Sequence, residues 1–317
     1  MAFNALAIHQ VILPSRDNLL RERKSKSGQP SAALPTIRPP KLDIRSDANL
    51  VINTELVERW LLKFLQDEVI RRRGFRKAVI GLSGGVDSSL VAYLCAKALG
   101  PENVTGVRMP YQSSSADSLA HAQMVIDDLG IESRTIEITA AVDGYLACES
   151  GADGRRRGNV MARTRMIVLF DQSAKLDALP IGTGNKTERL FGYFTWHADD
   201  SPPVNPLGDL FKTQVWMLAR HMGVPDAIVN KPASADLIVG QTDEGDFGIS
   251  YPEADRILYY LLRGYSPQRL TAMGFSQDNV KLVKGRLDGS HWKRHLPTTA
   301  MLTATSINDY YLRPVDY

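Results

Sequence analysis

Cysteine is scarce in this chain: Cys95 and Cys148 are the only two in 317 residues. That excludes a disulfide framework, and no C-x-x-C pair offers a zinc site. Such usage fits a reducing, cytoplasmic setting. An excess of one charge is also missing, since 38 Lys and Arg face 35 Asp and Glu for a formal net charge of +3, so no global field argues for nucleic acid as a partner. No apolar run reaches the length of a membrane span, and residues 1–13 are interrupted by Asn4, His9 and Gln10, which speaks against a signal peptide or a membrane anchor. The six histidines show no metal-ligand spacing. Two common nucleotide signatures are lacking as well, the Gly-Lys-Ser/Thr end of a Walker loop and the G-x-G-x-x-G turn.

What the chain does have is an apolar run, Ala78 to Leu82, that breaks at Ser83-Gly84-Gly85 and resumes as Val86-Asp87-Ser88-Ser89 with Leu90, Val91, Leu94, Cys95 and Ala98 at helical spacing before Gly100. This predicts strand, tight turn and helix. Glycines at Gly81, Gly84 and Gly85 free the backbone for a close approach, so the amides of the turn and of the first helical turn can face one anion. Ser83 and Ser88 add donors, whereas Asp87 would repel a phosphate unless a cation lay between them. The pattern therefore predicts a magnesium polyphosphate ligand. A glycine turn alone is weak evidence, but five fixed positions of Ser-Gly-Gly-x-Asp-Ser arise by chance in about one chain in a few thousand of this length.

Further along, Val104–Met109, Ser133–Ile138 and Leu179–Ile181 read as strands, with Ala116–Leu129 and a segment starting near Asn159 as helices between them. Alternation of this kind predicts a doubly wound parallel α/β sheet with flanking helices, whose ligand sits at the carboxyl ends of the strands. The loop from Pro110 to Ser115 then lies beside the Ser83–Ser88 turn and can line an adenosine. Thr54 to Arg73 reads as an amphipathic helix closed by Gly74, and residues 149–158 as turns. Residues 1–46, rich in proline and basic side chains, read as an extended or partly disordered arm. A second glycine turn, Gly182-Thr183-Gly184, ends the fourth strand, with Glu188 five residues beyond Thr183. Its carboxylate can face the same cleft as Asp87. Lys212 stands in the first turn of a helix, where the macrodipole disfavours a cation, so its position argues for a task. The stretch Gly240–Gly248 reads as a mobile loop with hinge glycines.

The Ser-Gly-Gly-x-Asp-Ser segment resembles the pyrophosphate loop of the N-type ATP pyrophosphatases. Five further blocks follow it in order: Asn159–Met166, Gly182–Glu188, Pro206–Thr213, Lys231–Leu237 and Thr242–Tyr251. Together they resemble the ammonia-dependent NAD synthetases over residues 47–297, leaving 298–317 as a tail. The resemblance implies an adenine nucleotide alpha-hydrolase-like fold, a homodimer, and the amidation of deamido-NAD by ammonia with ATP and Mg²⁺. It implies Gly81, Ser83, Gly84, Gly85, Asp87, Ser88, Thr183, Lys212 and Ser234 at ATP, and Asp87 with Glu188 at the metal. Asp87, Lys212 and Asp236 would be catalytic, and Arg163, Asn159, Phe194, Trp196, Asp200 and Lys293 would meet deamido-NAD. The chain departs from the family pattern at Trp196, where Lys is usual, at the acid now found as Asp199 or Asp200, and at Trp292 within His291–Arg294.

Glutamine-dependent members carry an amidase with a catalytic Cys. Here about fifty Pro-rich, basic residues precede the first helix, and neither Cys95 nor Cys148 has a nucleophile's surroundings. Free ammonia is therefore the expected nitrogen donor, with no amidotransferase domain in the chain. Two other readings share the loop: a GMP-synthetase-like or tRNA-modifying adenylating enzyme, and a non-catalytic ATP-binding regulator.

Overall fold

Helix α1 (Thr54–Leu65) starts where the Asn53 side chain accepts the Leu56 amide at 2.9 Å, and a π-turn over Gln66–Arg71 carries the chain to Gly74. There a φ of +74° turns it into β1 (Lys77–Gly81). In this computed structural model, which describes residues 47–149, 151–234, 242–295 and 297–303, alternation along β1 sets the layers. Ala78 and Ile80 join one buried cluster with Leu90, Val91 and Leu94 of α2 (Val86–Leu99), while Val79 joins another with Met161 and Leu169 of a later helix. Successive strand residues point to opposite faces, so a helix covers each side of the sheet.

From β1 the chain moves outward through β2 (Val104–Arg108), α3 (Ala116–Leu129) and β3 (Glu132–Thr135), passes α4 (Thr139–Leu146), and crosses back along α5 (Gly154–Leu176) to β4 (Ala178–Pro180). The four strands are parallel in the order β3-β2-β1-β4. The order reverses between β1 and β4, and the crevice above their carboxyl ends is the place where such sheets bind ligands. Glycine-containing turns rise from both strands there, Ser83–Gly85 from β1 and Gly182–Gly184 from β4. The doubly wound α/β architecture expected from the sequence is present.

Beyond the sheet come α6 (Lys186–Phe191), α7 (Lys212–His221), α8 (Asp226–Val229), α9 (Asp243–Phe247), α10 (Tyr251–Leu261), α11 (Pro267–Ala272) and α12 (Gln277–Gly289). Phe191, Phe211, Phe247, Tyr251 and Ile257 bury a third cluster among them.

Several local expectations need correcting. Residues 154–158 are not turns but the first turns of α5, because the Asp153 side chain caps it by accepting the Arg156 amide at 2.7 Å. The expected loop 240–248 is helical over Asp243–Phe247, where Thr242 Oγ1 accepts the Gly245 amide at 3.2 Å. The third strand is shorter than Ser133–Ile138, although the amides of Ile136 and Ile138 still reach Arg108 and Pro110 carbonyls at 2.9 Å. The α1 periodicity ends in the π-turn rather than running on to Arg73. The arm of residues 1–46 lies outside the described residues. Among the described residues no helix is long and apolar enough to cross a membrane.

Candidate active site

Gly84 has a φ of +76°, and a Cβ there would meet the Ser118 carbonyl oxygen at 2.1 Å. Only glycine lets the turn rest on the start of α3. The donors above it are partnered within the loop: Ser83 Oγ lies 3.1 Å from Ser88 Oγ and accepts the Gly85 amide at 3.2 Å. Ser88 Oγ also donates to the Gly85 carbonyl at 3.1 Å. Asp87, one residue into the 14-residue α2, thus stands at the mouth of an anion-seeking turn.

Three helix starts bring their side chains to this point. Lys212, the first residue of α7, is 2% exposed, and its ammonium bonds Asp87 Oδ2 and lies 3.7 Å from Glu188 Oε1. Glu188 is fixed by a capping box, in which Asn185 Oδ1 accepts the Glu188 amide at 3.0 Å and Glu188 Oε2 accepts the Asn185 amide at 3.2 Å. Asn185 Nδ2 also donates to Asp87 Oδ1 at 3.0 Å. One oxygen of Glu188 therefore holds its helix and the other faces the cleft.

Charge is out of balance here. Asp87, Glu188 and the buried Asp243 surround one ammonium. Burial, then the charges of Asp87 and Asp243, push the Glu188 carboxyl up to about 8 against the pull of Lys212. Burial and Asp87 likewise raise Asp243, although Lys212 and Tyr251 oppose them. Burial works against the Lys212 charge, but Asp87 and Glu188 outweigh it and hold the ammonium protonated. The ring of Tyr251 lies 5.3 Å from that ammonium, and its hydroxyl donates to Asp243 Oδ2 at 2.8 Å. A cation entering among these three carboxyl groups would displace the Glu188 proton as it bound.

Beside this centre a cleft is lined by Gly81, Ser83, Pro110, Ser114, Gly182 and Thr183, joining both glycine turns to the loop after β2. It has the mixed apolar and polar lining of a nucleoside site. The predicted substrate residues gather in one patch. Arg163 Nη2 donates to the Trp196 carbonyl at 3.0 Å, and Asn159 Oδ1 accepts the Thr195 hydroxyl at 3.1 Å. Lys293 Nζ donates to the Gly192 and Phe194 carbonyls at 2.6 and 2.5 Å and lies 4.2 Å from the Phe194 ring. Burial draws the Lys293 ammonium's pKa down, while Asp199 and Asp200 oppose it. Trp196 and Trp292 meet edge to face at 5.2 Å. Asp199 accepts the Thr195 amide at 2.8 Å and Asp200 the Ala198 amide at 3.1 Å, so both acids brace this loop.

Ser234 is exposed, at the last described position before residue 242, and Asp236 lies outside the described residues. Of the two cysteines, Cys95 is buried, which pushes its thiol up, and Cys148 is exposed. Sequence reasoning gave no role to Asn185, Asp243, Tyr251 or Lys231, whose ammonium donates to Ser118 Oγ at 3.0 Å under the loop. Asn185 was open to discovery, because Asn-x-x-Glu is a capping-box signature.

The curated NH(3)-dependent NAD(+) synthetase of Trichlorobacter lovleyi is 47% identical over 262 residues, spanning 82% of this chain and 96% of that protein. Two solved structures superpose on the fold. The NMN synthetase of Francisella tularensis is 31% identical with a TM-score of 0.71 over 79% of this chain and 99% of its own. The NH3-dependent NAD synthetase of Campylobacter jejuni, solved with nitrate, is 30% identical with a TM-score of 0.69 over 79% and 100%. The family model described as NAD synthase matches residues 57–297, a span holding both glycine turns, Lys212 and the aromatic patch, and the chain belongs to that family.

Proposed function

We propose that the chain amidates deamido-NAD with ammonia at the expense of ATP, releasing NAD, AMP and pyrophosphate. The observation that carries this reading is the Lys212 ammonium, buried between Asp87 and Glu188 at the mouth of the Ser83–Ser88 turn. A carboxylate cannot be amidated directly, since its oxygen is a poor leaving group. An oxygen of the nicotinate carboxylate attacks the α-phosphorus of ATP, and the bond from that phosphorus to the bridging oxygen breaks. The departing pyrophosphate takes the electron pair. Ammonia then adds to the acyl carbon, the bond to AMP breaks, and the nitrogen gives up a proton.

Negative charge gathers on pyrophosphate in the first step, and a set of donors would stabilise it. They are the amides at the start of α2, the hydroxyls of Ser83 and Ser88, and Lys212. Thr183 and the loop Pro110–Ser114 border the nucleoside cleft. Asp87 and Glu188 would hold Mg²⁺, Glu188 giving up its proton to do so, since two hard oxygen ligands suit that ion. Among the described residues no group of three or more metal-binding side chains converges. The ion when bound would neutralise the leaving pyrophosphate.

Arg163, Asn159, Phe194, Trp196, Asp200 and Lys293 are the proposed deamido-NAD contacts, with Asp236 and Ser234 acting from their own segment. A homodimer working in the cytoplasm, preceded by its basic arm, completes the proposal. Purified chain with ATP, Mg²⁺ and ammonium should release AMP and pyrophosphate when deamido-NAD is added. Release with xanthosine monophosphate or tRNA in its place would overturn the assignment, and faster formation of NMN than of NAD would move the chain towards the Francisella NMN synthetase. Ammonia should outperform glutamine at matched concentration, with a rate that rises with pH as ammonium loses its proton. Glutamine-driven NAD formation that survives Cys95→Ala and Cys148→Ala without ammonia would reveal an unrecognised amidase.

A further inference from the structure

Asp255 lies on α10, in no part of the sequence that carried a motif, and its side chain is fully buried. Its carboxylate accepts three hydrogen bonds: Oδ1 from Thr187 Oγ1 at 2.6 Å, and Oδ2 from the Thr213 amide at 3.0 Å and Thr213 Oγ1 at 2.8 Å. Thr187 immediately precedes Glu188 and Thr213 immediately follows Lys212. The Thr187 hydroxyl also accepts the Lys212 amide at 3.0 Å, so one hydroxyl joins the α6 start, the α7 start and Asp255. Burial pushes the Asp255 carboxyl up to about 6 against those three bonds and the Lys212 charge.

A buried acid is a costly way to join two helices, and apolar packing does that task as well or better. What an apolar contact cannot do is fix direction. Glu188 and Lys212 come from segments about two dozen residues apart, and their side chains must arrive at Asp87 within a fraction of an ångström to serve one leaving group. We propose that Asp255 is a positioning residue, setting the register between the helix starts that carry Glu188 and Lys212 through Thr187 and Thr213. This rests on the activity proposed above, since the register matters only if both side chains address the pyrophosphate.

The experiment compares Asp255→Asn, Thr187→Val and Thr187→Ser with wild type on whichever carboxylic acid the wild type amidates. Wild-type turnover of deamido-NAD judges the activity reading separately. Asp255→Asn and Thr187→Val should lower kcat about tenfold to a hundredfold, with the KM for ATP within about twofold, because nucleoside contacts stay in place. Thr187→Ser, which keeps the hydroxyl, should restore kcat. Equal kcat for Thr187→Val and Thr187→Ser would overturn the proposal, and so would a loss in Asp255→Asn confined to Tm. If Asp255→Asn does not fold, the Thr187 pair decides. A crystal structure of Thr187→Val needs no activity: a shifted Lys212 ammonium supports the proposal, and one still bonded to Asp87 and beside Glu188 overturns it.

Discussion

Around the Ser83–Ser88 turn, functional side chains stand at helix starts: Asp87 on α2, Glu188 on α6 and Lys212 on α7. Around Trp196 the arrangement is different. Lys293, Arg163 and Arg294 donate mostly to backbone carbonyls, those of Gly192, Phe194, Trp196, Arg189, Leu190 and Leu287, with Arg294 also reaching the Ser290 hydroxyl, and two tryptophans meet edge to face. The proposed phosphate half is specified by charge placed at fixed points, and the other half by a loop stitched to distant helices. A substitution in the first should therefore act on chemistry, and one in the second on binding.

The sharpest separation comes from the carboxylates. Asp87→Asn and Glu188→Gln should each cost about 10²–10³ in kcat, the scale of removing a preorganised transition-state partner. The double variant should lose little more than either alone, and additive losses in a kinetic cycle would show that the two acids do not act as a unit.

In the aromatic patch, Trp196→Ala and Lys293→Ala should raise the KM for deamido-NAD by up to about tenfold, the worth of one aromatic or cationic contact. The KM for ATP should stay unchanged. A fall in kcat with unaltered KM would mean that the patch also orients the carboxylate, and the contrast between the halves would blur.

A smaller effect concerns stability. Because the folded Glu188 carboxyl sits at about 8 and the ordinary value is 4.5, the folded chain binds the proton more tightly than the unfolded one. Stability therefore falls as pH rises from 4.5 to 8. Glu188→Gln has no such proton and keeps an oxygen for the Asn185 amide. In the absence of ligands its Tm should match wild type near pH 5 and exceed it by about 2–4 °C near pH 8. A constant difference across that range would assign the cost to packing instead of charge.

Legibility in the sequence divided along the same line. The Ser83–Ser88 turn and the Gly182–Glu188 turn were readable because glycine, serine and acid sit within a few residues, where local geometry shapes the candidate site. That Glu188 can face the same cleft as Asp87 followed from parallel topology, which brings strand ends together, whereas Lys212 was placed there by the family resemblance. Asp255 was not readable. It is an acid on an otherwise ordinary amphipathic helix, and its partners are 42 and 68 residues away. The bonds of Asp199 and Asp200 to the Thr195 and Ala198 amides were hidden for a related reason, since a carboxylate that caps a neighbouring amide has the same composition as one that does not. Residues 154–158 misled because glycine and three arginines look like a turn, whereas an Asp cap and packing of α5 on the sheet override that propensity.

The bond between Ser83 and Ser88 hydroxyls has a consequence for affinity. With their donors engaged inside the loop, an arriving phosphate exchanges existing hydrogen bonds for new ones and gains little from their number. The turn keeps its shape in the exchange because Gly84 rests on the Ser118 backbone. Selection among anions then falls to total charge and to whatever cation accompanies them, so a dianion without a metal should be a poor competitor for the same groove.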